Sequence, residues 1–397
     1  MSNRINTALV IGGGVAGPVT VMALRQAGIE ATVYEAYDGT AEGVGAALGL
    51  APNGLAALDA IGAGDLVRGL GDPMNSIVLQ SWNGKRLAEI GNPGTLEATR
   101  LVMRSDLYQA LYAEARARGI RIEHGKRLVG VEEGKDTVTA QFADGTTATG
   151  ELLIGADGIR STVRNLIDPA APQPRYAGLQ GFGSVSTLAG AVPDTGGKML
   201  MTFGKRAFFG LQVLGGNAVW FVNLPHPQPM TQAKAVAYGA ERWLKVLADA
   251  CADDRTPALE LIRHTDPAEL LITGPMENIP LLPHWSRGRM VLVGDAAHAP
   301  SSSSGQGASL AIESAVELAR CTRDLPLDQA LKQYEALRRP RVERIIKQAE
   351  RTNSNKAAGP VGRVLRDALM PIGMKLMNPE KLSAHLRHRI DWAAPAA

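Results

Sequence analysis

The chain has 397 residues, 45% of them hydrophobic and 20% charged, with a formal net charge of +3. That length buries a substantial core and suggests two or three domains, or one large domain with an insertion; the composition excludes a disordered or membrane-embedded class. The near-neutral charge argues against a nucleic-acid binder, because Lys and Arg are scattered except at Arg338-Arg339-Pro340-Arg341 and its helical continuation.

The opening Met1-Ser2-Asn3-Arg4-Ile5-Asn6-Thr7 runs directly into a strand-like segment, leaving no room for a signal sequence, and no apolar run has the length of a membrane span. A cytoplasmic protein is expected. Ala8 to Ile11 reads as a short buried strand, Val15 to Ala27 as a helix and Glu30 to Glu35 as a second strand, which together make one βαβ unit. Helices are expected over Pro52 to Gly62 and over Ser105 to Arg118, with Ser105 as N-cap of the second. Between them, Ser76 to Trp82 and Arg86 to Ile90 form a hairpin across Asn83-Gly84.

Three β-like runs from Arg127 to Ile154, the last two joined at Asp144-Gly145, fit a meander. Residues 175–280 are rich in strand signals, at Lys198 to Phe203, Ala207 to Val213 and Ala218 to Leu224, followed by a helix around Ala233 to Ala250. Met290 to Val293 is another buried-type strand, Gly305 to Arg320 a helix, and the chain from Leu327 onward is almost wholly helical in pattern. Cys251 and Cys321 stand apart from each other and from any His-rich spacing, so they outline neither a metal site nor a disulfide framework and read as buried small residues.

Gly12-Gly13-Gly14-Val15-Ala16-Gly17 matches G-x-G-x-x-G directly after a strand and at the start of a helix. Gly12 permits the tight turn, Gly14 lets the backbone approach a pyrophosphate, Gly17 allows close helix–strand packing, and the helix N-terminus offers amide donors. Glu35 follows Gly17 by 18 residues and ends the second strand, where a carboxylate accepts hydrogen bonds from ribose hydroxyls and disfavours a 2′-phosphate. The fingerprint alone does not separate FAD from NAD. Asp295, at the carboxyl end of the strand Met290 to Val293, suits ribityl hydroxyls, and Gly305, Gly307, Ala308 and Ser309 present helix N-terminal amides that suit the N1 and O2 edge of a reduced flavin.

Two segments resemble the class A flavoprotein monooxygenases, a group that includes para-hydroxybenzoate and salicylate hydroxylases and tetracycline-modifying enzymes. Leu152-Leu153-Ile154-Gly155-Ala156-Asp157-Gly158-Ile159-Arg160-Ser161-Thr162-Val163-Arg164 resembles the family's Asp-Gly motif, and Val293-Gly294-Asp295-Ala296-Ala297-His298 with Gly305 to Ser309 resembles its Gly-Asp motif. The resemblance spans nearly the whole chain. It implies an α/β Rossmann-like FAD-binding domain, similar to para-hydroxybenzoate hydroxylase, assembled from residues 1–73, 99–174 and 281–325. It also implies a β-rich substrate domain from 74–98 and 175–280 and a helical C-terminal region at 326–397.

The same resemblance implies non-covalent FAD held by Gly12, Gly14, Val15, Ala16, Gly17, Glu35, Ala36, Asp157, Asp295, Gly305, Gly307, Ala308 and Ser309. It adds Arg104 as a flavin-contacting arginine, Leu128 as a backbone contact to adenine, and Ala46, Ala47 and Leu48 alongside the flavin. Two positions depart from the pattern: Glu42 and Gly43 stand where relatives commonly carry an Arg linked to flavin movement, and Ser302 stands where a proline is common, with Pro300 two positions earlier.

The implied activity is hydroxylation of an aromatic or polycyclic, polyketide-like small molecule by NADPH or NADH and O2, through a flavin C4a-hydroperoxide. Met201, Phe203, Phe208, Phe209, Gln212 and Trp220 are candidates to line the substrate, each also readable as core. No catalytic acid or base is assigned: the chemistry is flavin-borne, and His298 reads as a residue packed under its loop. Two further readings fit the same residues, an FAD-dependent oxidase or dehydrogenase and a flavin- or ligand-binding protein without turnover. No stable membrane association is expected, and both a monomer and a homodimer fit.

Overall fold

The computed structural model describes residues 4–39, 47–91, 96–186, 192, 194–214, 216–356, 359–376, 380 and 383–396. Glu42, Gly43 and Ala46 lie outside these described residues. A central sheet joins β1 (Thr7–Ile11), β2 (Glu30–Tyr34), β8 (Arg121–Glu123), β12 (Leu152–Gly155), β18 (Ser286–Arg287) and β19 (Met290–Leu292) in the order β18-β19-β12-β1-β2-β8. All its pairings are parallel except β18 with β19. Its strands β12 and β19 are apolar and buried throughout, as expected of parallel strands covered on both faces.

The helix α1 (Ala16–Gln26) makes the β1-to-β2 crossover and packs against α10 (Gly307–Asp324), so the first and last parts of the sheet domain share one helical layer. A small sheet of β3 (Ala47–Leu50), β4 (Asp72–Met74) and β7 (Thr99–Met103) sits beside α2 (Pro52–Asp59), α3 (Gly64–Arg68) and α4 (Arg104–Ala117). The expected meander is present as β9 (Leu128–Glu133), β10 (Val138–Phe142) and β11 (Thr147–Gly150).

A seven-stranded sheet takes β5 (Ser76–Ser81) and β6 (Arg86–Gly91) from one stretch of chain and five strands from another. These are β13 (Arg175–Ser186), β14 (Lys198–Phe203), β15 (Phe208–Leu214), β16 (Asn217–Pro225) and β17 (Leu271–Asn278). The hairpin at Asn83-Gly84 therefore becomes one edge of the sheet through the parallel β14–β5 pairing.

Strand alternation gives this sheet two different faces. Phe182, Phe209, Leu211, Val213, Trp220 and Val222 form one core with α7 (Ala240–Cys251) and α8 (Ala258–Arg263). Met201, Phe203, Phe208 and Phe221 lie on the other face with Leu79 and Leu87.

Three local expectations are corrected. The helix expected around 233–250 is two helices, α6 (Gln232–Tyr238) and α7, because Gly239 between them has φ +100°. Ser105 is not the N-cap of α4: the helix starts at Arg104, and the Ser105 hydroxyl donates to Asp106 instead. The helix α10 begins at Gly307, two residues later than read. The remaining helices are α5 (Thr162–Ile167), α9 (Asp295–His298), α11 (Leu327–Lys356) and α12 (Pro360–Leu376). Among the described residues, no helix is long and apolar enough to cross a membrane.

Candidate functional site

The carboxyl ends of β1, β12 and β19 converge, and the loops that leave them hold one another in place. The Ala156 N–H bonds the Ile11 carbonyl at 2.8 Å, and the Val293 N–H bonds the Gly155 carbonyl at 2.9 Å. Gly12 has φ +105°, and a Cβ there would stand 2.5 Å from the Ala156 carbonyl oxygen, so the turn and its neighbour both require glycine. Gly17 is equally confined, with a Cβ position 2.0 Å from the Gly12 carbonyl oxygen. Gly14 differs: its nearest neighbour would be the Tyr108 hydroxyl at 3.8 Å, which leaves its open side for a ligand.

Glu35 stands at the end of β2 with its carboxylate on the fingerprint. Its Oε2 accepts the Gly13 N–H at 2.6 Å and its Oε1 the Tyr37 N–H at 2.9 Å. The Lys126 N–H bonds the Glu35 carbonyl, which brings Leu128, two residues on, to this end of the sheet; its side chain is buried. Val15 and Ala16 open α1, and Ala36 follows Glu35, half-buried.

Asp157 is half-buried, and its carboxylate bonds largely within its own segment. It accepts from the Ser161 hydroxyl, the Thr162 N–H and the Val163 N–H, which caps the start of α5. Burial pushes its pKa up against those bonds. Asp157 therefore shapes the loop packed on Gly12. Arg164, the last residue of the Asp-Gly motif, connects this segment to the Asp295 segment: it is buried and donates to the Ala296 and Ile159 carbonyls at 3.1 and 2.7 Å.

Asp295 sits past the end of β19 on α9, with its carboxylate open to the cleft although protein surrounds it closely. It accepts no hydrogen bond among the described residues; burial pushes its pKa up, and the nearby Arg104 guanidinium pulls it back. Arg104 is exposed, donates to the Tyr108 hydroxyl at 2.7 Å and lies over that ring. Ala47 and Leu48 are half-buried on β3, whose partner β7 leads into Arg104.

The N-terminal ends of α2 and α10 interlock. The Ser309 hydroxyl accepts the Ala51 N–H at 3.1 Å, and the absence of a Cβ at Gly54 admits Ser309. Gly305 is exposed, while Gly307 and Ala308 are half-buried.

Behind this loop lies a buried polar network that the sequence reading missed. Asn53 donates to Gln306 and Glu313, and Glu313 also accepts from Arg338 and Arg341. The arginine cluster at 338–341 is thus structural: Arg338 and Arg341 bond Glu313, and Arg339 bonds Glu335, Glu343 and the Leu282 carbonyl. One signal was available, a glutamate inside the otherwise small and apolar run Leu310 to Val316. His298 is buried, shares a 2.8 Å hydrogen bond with the Ser314 hydroxyl, and has its pKa lowered to about 3 by burial and Arg338.

The substrate candidates divide between the two sheet faces. Phe209 and Trp220 belong to the core under α7 and α8, on the face away from Met201, Phe203 and Phe208. Gln212 alternates with Leu211 and Val213 onto the latter face, and its Nε2 donates to the Pro73 carbonyl of β4 at 3.3 Å. Its Oε1 is buried and has no partner among the described residues. Cys251 and Cys321 are buried free thiols, pushed up to about 12 by burial.

A glycine-rich βαβ unit, a second strand ending in an open aspartate, interlocked helix N-termini and a mixed, mostly antiparallel sheet fed by two chain segments define a flavoprotein with the para-hydroxybenzoate hydroxylase-like fold. The chain belongs to the FAD binding domain family, which it matches over residues 6–349, and is a flavoprotein monooxygenase. It is 31% identical to the FAD-dependent urate hydroxylase of Klebsiella pneumoniae, over 87% of this chain and 88% of that protein. It is also 31% identical to the 3-amino-4-hydroxybenzoate 2-monooxygenase PtmB3 of Streptomyces platensis, over 95% of each. The crystal structure of Klebsiella pneumoniae HpxO complexed with FAD and uric acid superposes with a TM-score of 0.81 at 26% identity, covering 96% of this chain and 95% of that one.

Proposed function

We propose that the enzyme uses NADPH or NADH and O2 to hydroxylate an aromatic or polycyclic small molecule held between the flavin and the Met201 face of the seven-stranded sheet. The observation that carries this reading is Gln212, a buried amide tied to β4 on one side and presenting an unpartnered acceptor on an apolar face. Few polar groups on an apolar wall suit a flat, weakly polar ligand with one donor to place. The relatives named for urate and for an aminohydroxybenzoate act on small aromatic rings, which agrees with such a ligand.

The residues present fit FAD. The open side of Gly14 and the first amides of α1 receive the pyrophosphate, and Glu35 accepts from ribose hydroxyls in exchange for the Gly13 N–H. Leu128 meets adenine through its backbone. Asp295 would accept from ribityl hydroxyls, since its carboxylate has no donor among the described residues. The amides of Gly307, Ala308 and Ser309 place partial positive charge beside the pyrimidine edge of the ring. When bound, FAD supplies hydride acceptance from the nicotinamide and insertion of one oxygen atom of O2 into the substrate, the other leaving as water.

The protein contributes orientation, exclusion of water and charge. His298 is assigned a packing role: burial and Arg338 lower its pKa to about 3, which makes it a weak base, and its Nε2 is shared with Ser314.

The test is a flavin absorbance titration of the holoenzyme: anaerobic NADPH or NADH, then air, in the presence of phenols, N-heteroaromatics and tricyclic aromatics. The expected result is slow bleaching that one ligand class accelerates, followed by recovery in air with one hydroxylated product per O2 consumed. Flavin reduced directly by a ligand without nicotinamide would replace the reading with an oxidase. No response to either nicotinamide under any ligand would replace it with a binding protein.

A further inference from the structure

We propose that α12 is an interfacial helix that docks the enzyme reversibly on an anionic lipid surface. The helix is oriented against the usual rule. Val361, Val364, Leu365, Leu369, Ile372 and Leu376 are 54–83% exposed. At 100° per residue they fall within an arc of about 140° on one side of the helix. These six are half of the exposed large hydrophobic residues among those described, gathered on one helix.

Three of the four charged residues of the helix are on the opposite side, which faces the protein. Arg363 donates to the Lys205 carbonyl, Arg366 lies 4.3 Å from the Phe203 ring centroid and pairs with Asp367, and Met370 packs with Leu87 and Phe203. The outward apolar stripe is thus enforced by contacts on the inward side. Rotating the helix to bury the stripe would break them. A continuous apolar stripe left in water marks a surface that is covered in use.

Charge selects the occupant. Residues 351–391 contain eight Lys and Arg against three Asp and Glu, a net of +5 in a chain whose total is +3, so the rest of the protein is net negative. Lys375, Arg387 and Arg389 are exposed, and Ser383 lines the same groove as Met374 and Lys375, which brings the basic segment past the C-terminal end of the helix. An apolar helical face beside exposed cations matches the headgroup and acyl boundary of an anionic bilayer. A second copy would instead bring two cationic segments together. Between α12 and β6 runs a groove of about 440 Å³ lined by Leu87, Ala88, Ile90, Pro371 and Met374, which docking would place at the lipid surface.

The test is co-sedimentation of the FAD-loaded enzyme with phosphatidylcholine vesicles, with and without about 30% phosphatidylglycerol, at low and high salt. Binding to the anionic vesicles at least ~tenfold above neutral ones, and falling with salt, is expected. The exposed double variant Leu365→Asp/Leu369→Asp is expected to lose vesicle binding while keeping its flavin spectrum and thermal midpoint. Failure of the wild-type protein to sediment with anionic vesicles overturns the proposal, as does undiminished binding of the double variant. A concentration-dependent dimer in light scattering, abolished by the same variant and unaccompanied by vesicle binding, overturns it in favour of a second copy.

Discussion

The Arg338 guanidinium lies 2.6 Å from the Glu313 carboxylate with both side chains almost wholly buried, and the pair joins α11 to α10 directly behind the Gly305-to-Ser309 loop. Glu313 also takes Arg341 and Asn53, whereas the other partners of Arg338 are uncharged, the Ser314 hydroxyl and the Leu310 carbonyl.

Glu313→Gln leaves Arg338 buried without its counter-charge and is expected to destabilise the protein by about 3–5 kcal/mol in urea unfolding. Arg338→Met is expected to cost less, because Arg341 still neutralises Glu313. The reverse order would refute Glu313 as the hub of the network.

Stability is expected to fall on acidification. Burial lowers His298 to about 3 and His388 to about 4. Both folded values lie below the unfolded value near 6.5, so the unfolded chain gains protons first as pH drops and stability declines from about pH 6.5 downward. Each histidine contributes a slope of up to about 1.4 kcal/mol per pH unit. Burial pushes Glu313 up, but Arg338 and Arg341 outweigh it and hold the carboxyl at about 2, adding a further loss as pH falls through 4.5 toward 2. Thermal unfolding between pH 7.5 and 4.5 checks this, and His298→Asn should flatten the curve; a flat wild-type curve contradicts it.

Glycines of the fingerprint separate folding from cofactor binding. Gly17→Ala meets the Gly12 carbonyl and is expected to lower the thermal midpoint of the apoprotein by several degrees. Gly14→Ala has room, so the apoprotein midpoint should hold within about a degree while FAD affinity falls about tenfold or more. Equal effects of the two on stability would argue that Gly14 faces protein rather than ligand.

Asp295→Ala removes a carboxylate that has no other hydrogen-bond donor among the described residues. FAD dissociation measured by fluorescence recovery should weaken by about ten- to a hundredfold, equivalent to one or two charge-assisted hydrogen bonds, with little change in urea midpoint. Unchanged affinity would place the ribityl chain elsewhere.

On the sheet, Gln212→Ala should raise KM for the substrate about tenfold, the loss of one buried hydrogen bond. Trp220→Phe should leave KM unchanged and lower stability alone, because that ring is in the core under α7. A KM effect from Trp220 would reverse the assignment of the faces.

Much of this protein was legible in its residues one after another. The βαβ unit, the glycine fingerprint and the hairpins at Asn83-Gly84 and Asp144-Gly145 follow from periodicity and turn chemistry, which are properties of neighbouring residues. They sufficed to read a dinucleotide-binding fold, and the resemblance to flavoprotein monooxygenases carried by the Asp157 and Asp295 segments turned that reading toward FAD.

Tertiary structure decided whatever depends on which face a side chain turns to and what meets it from afar. Alternation in β15 and β16 shows that Phe209 and Phe208 oppose each other, but only the packing of α7 reveals that Phe209 and Trp220 are on the covered side. Asp157, read from the sequence as a cofactor contact, also caps α5 in the fold, and Ser105 looks like a cap and lies inside its helix. The arginine cluster at 338–341 could be solvated or buried until Glu313, some 25 residues earlier in the chain, supplied its counter-charge. Local pattern encodes backbone conformation, whereas the cost of burying a charge or exposing an apolar stripe is set by partners distant in sequence, which only the assembled fold brings together.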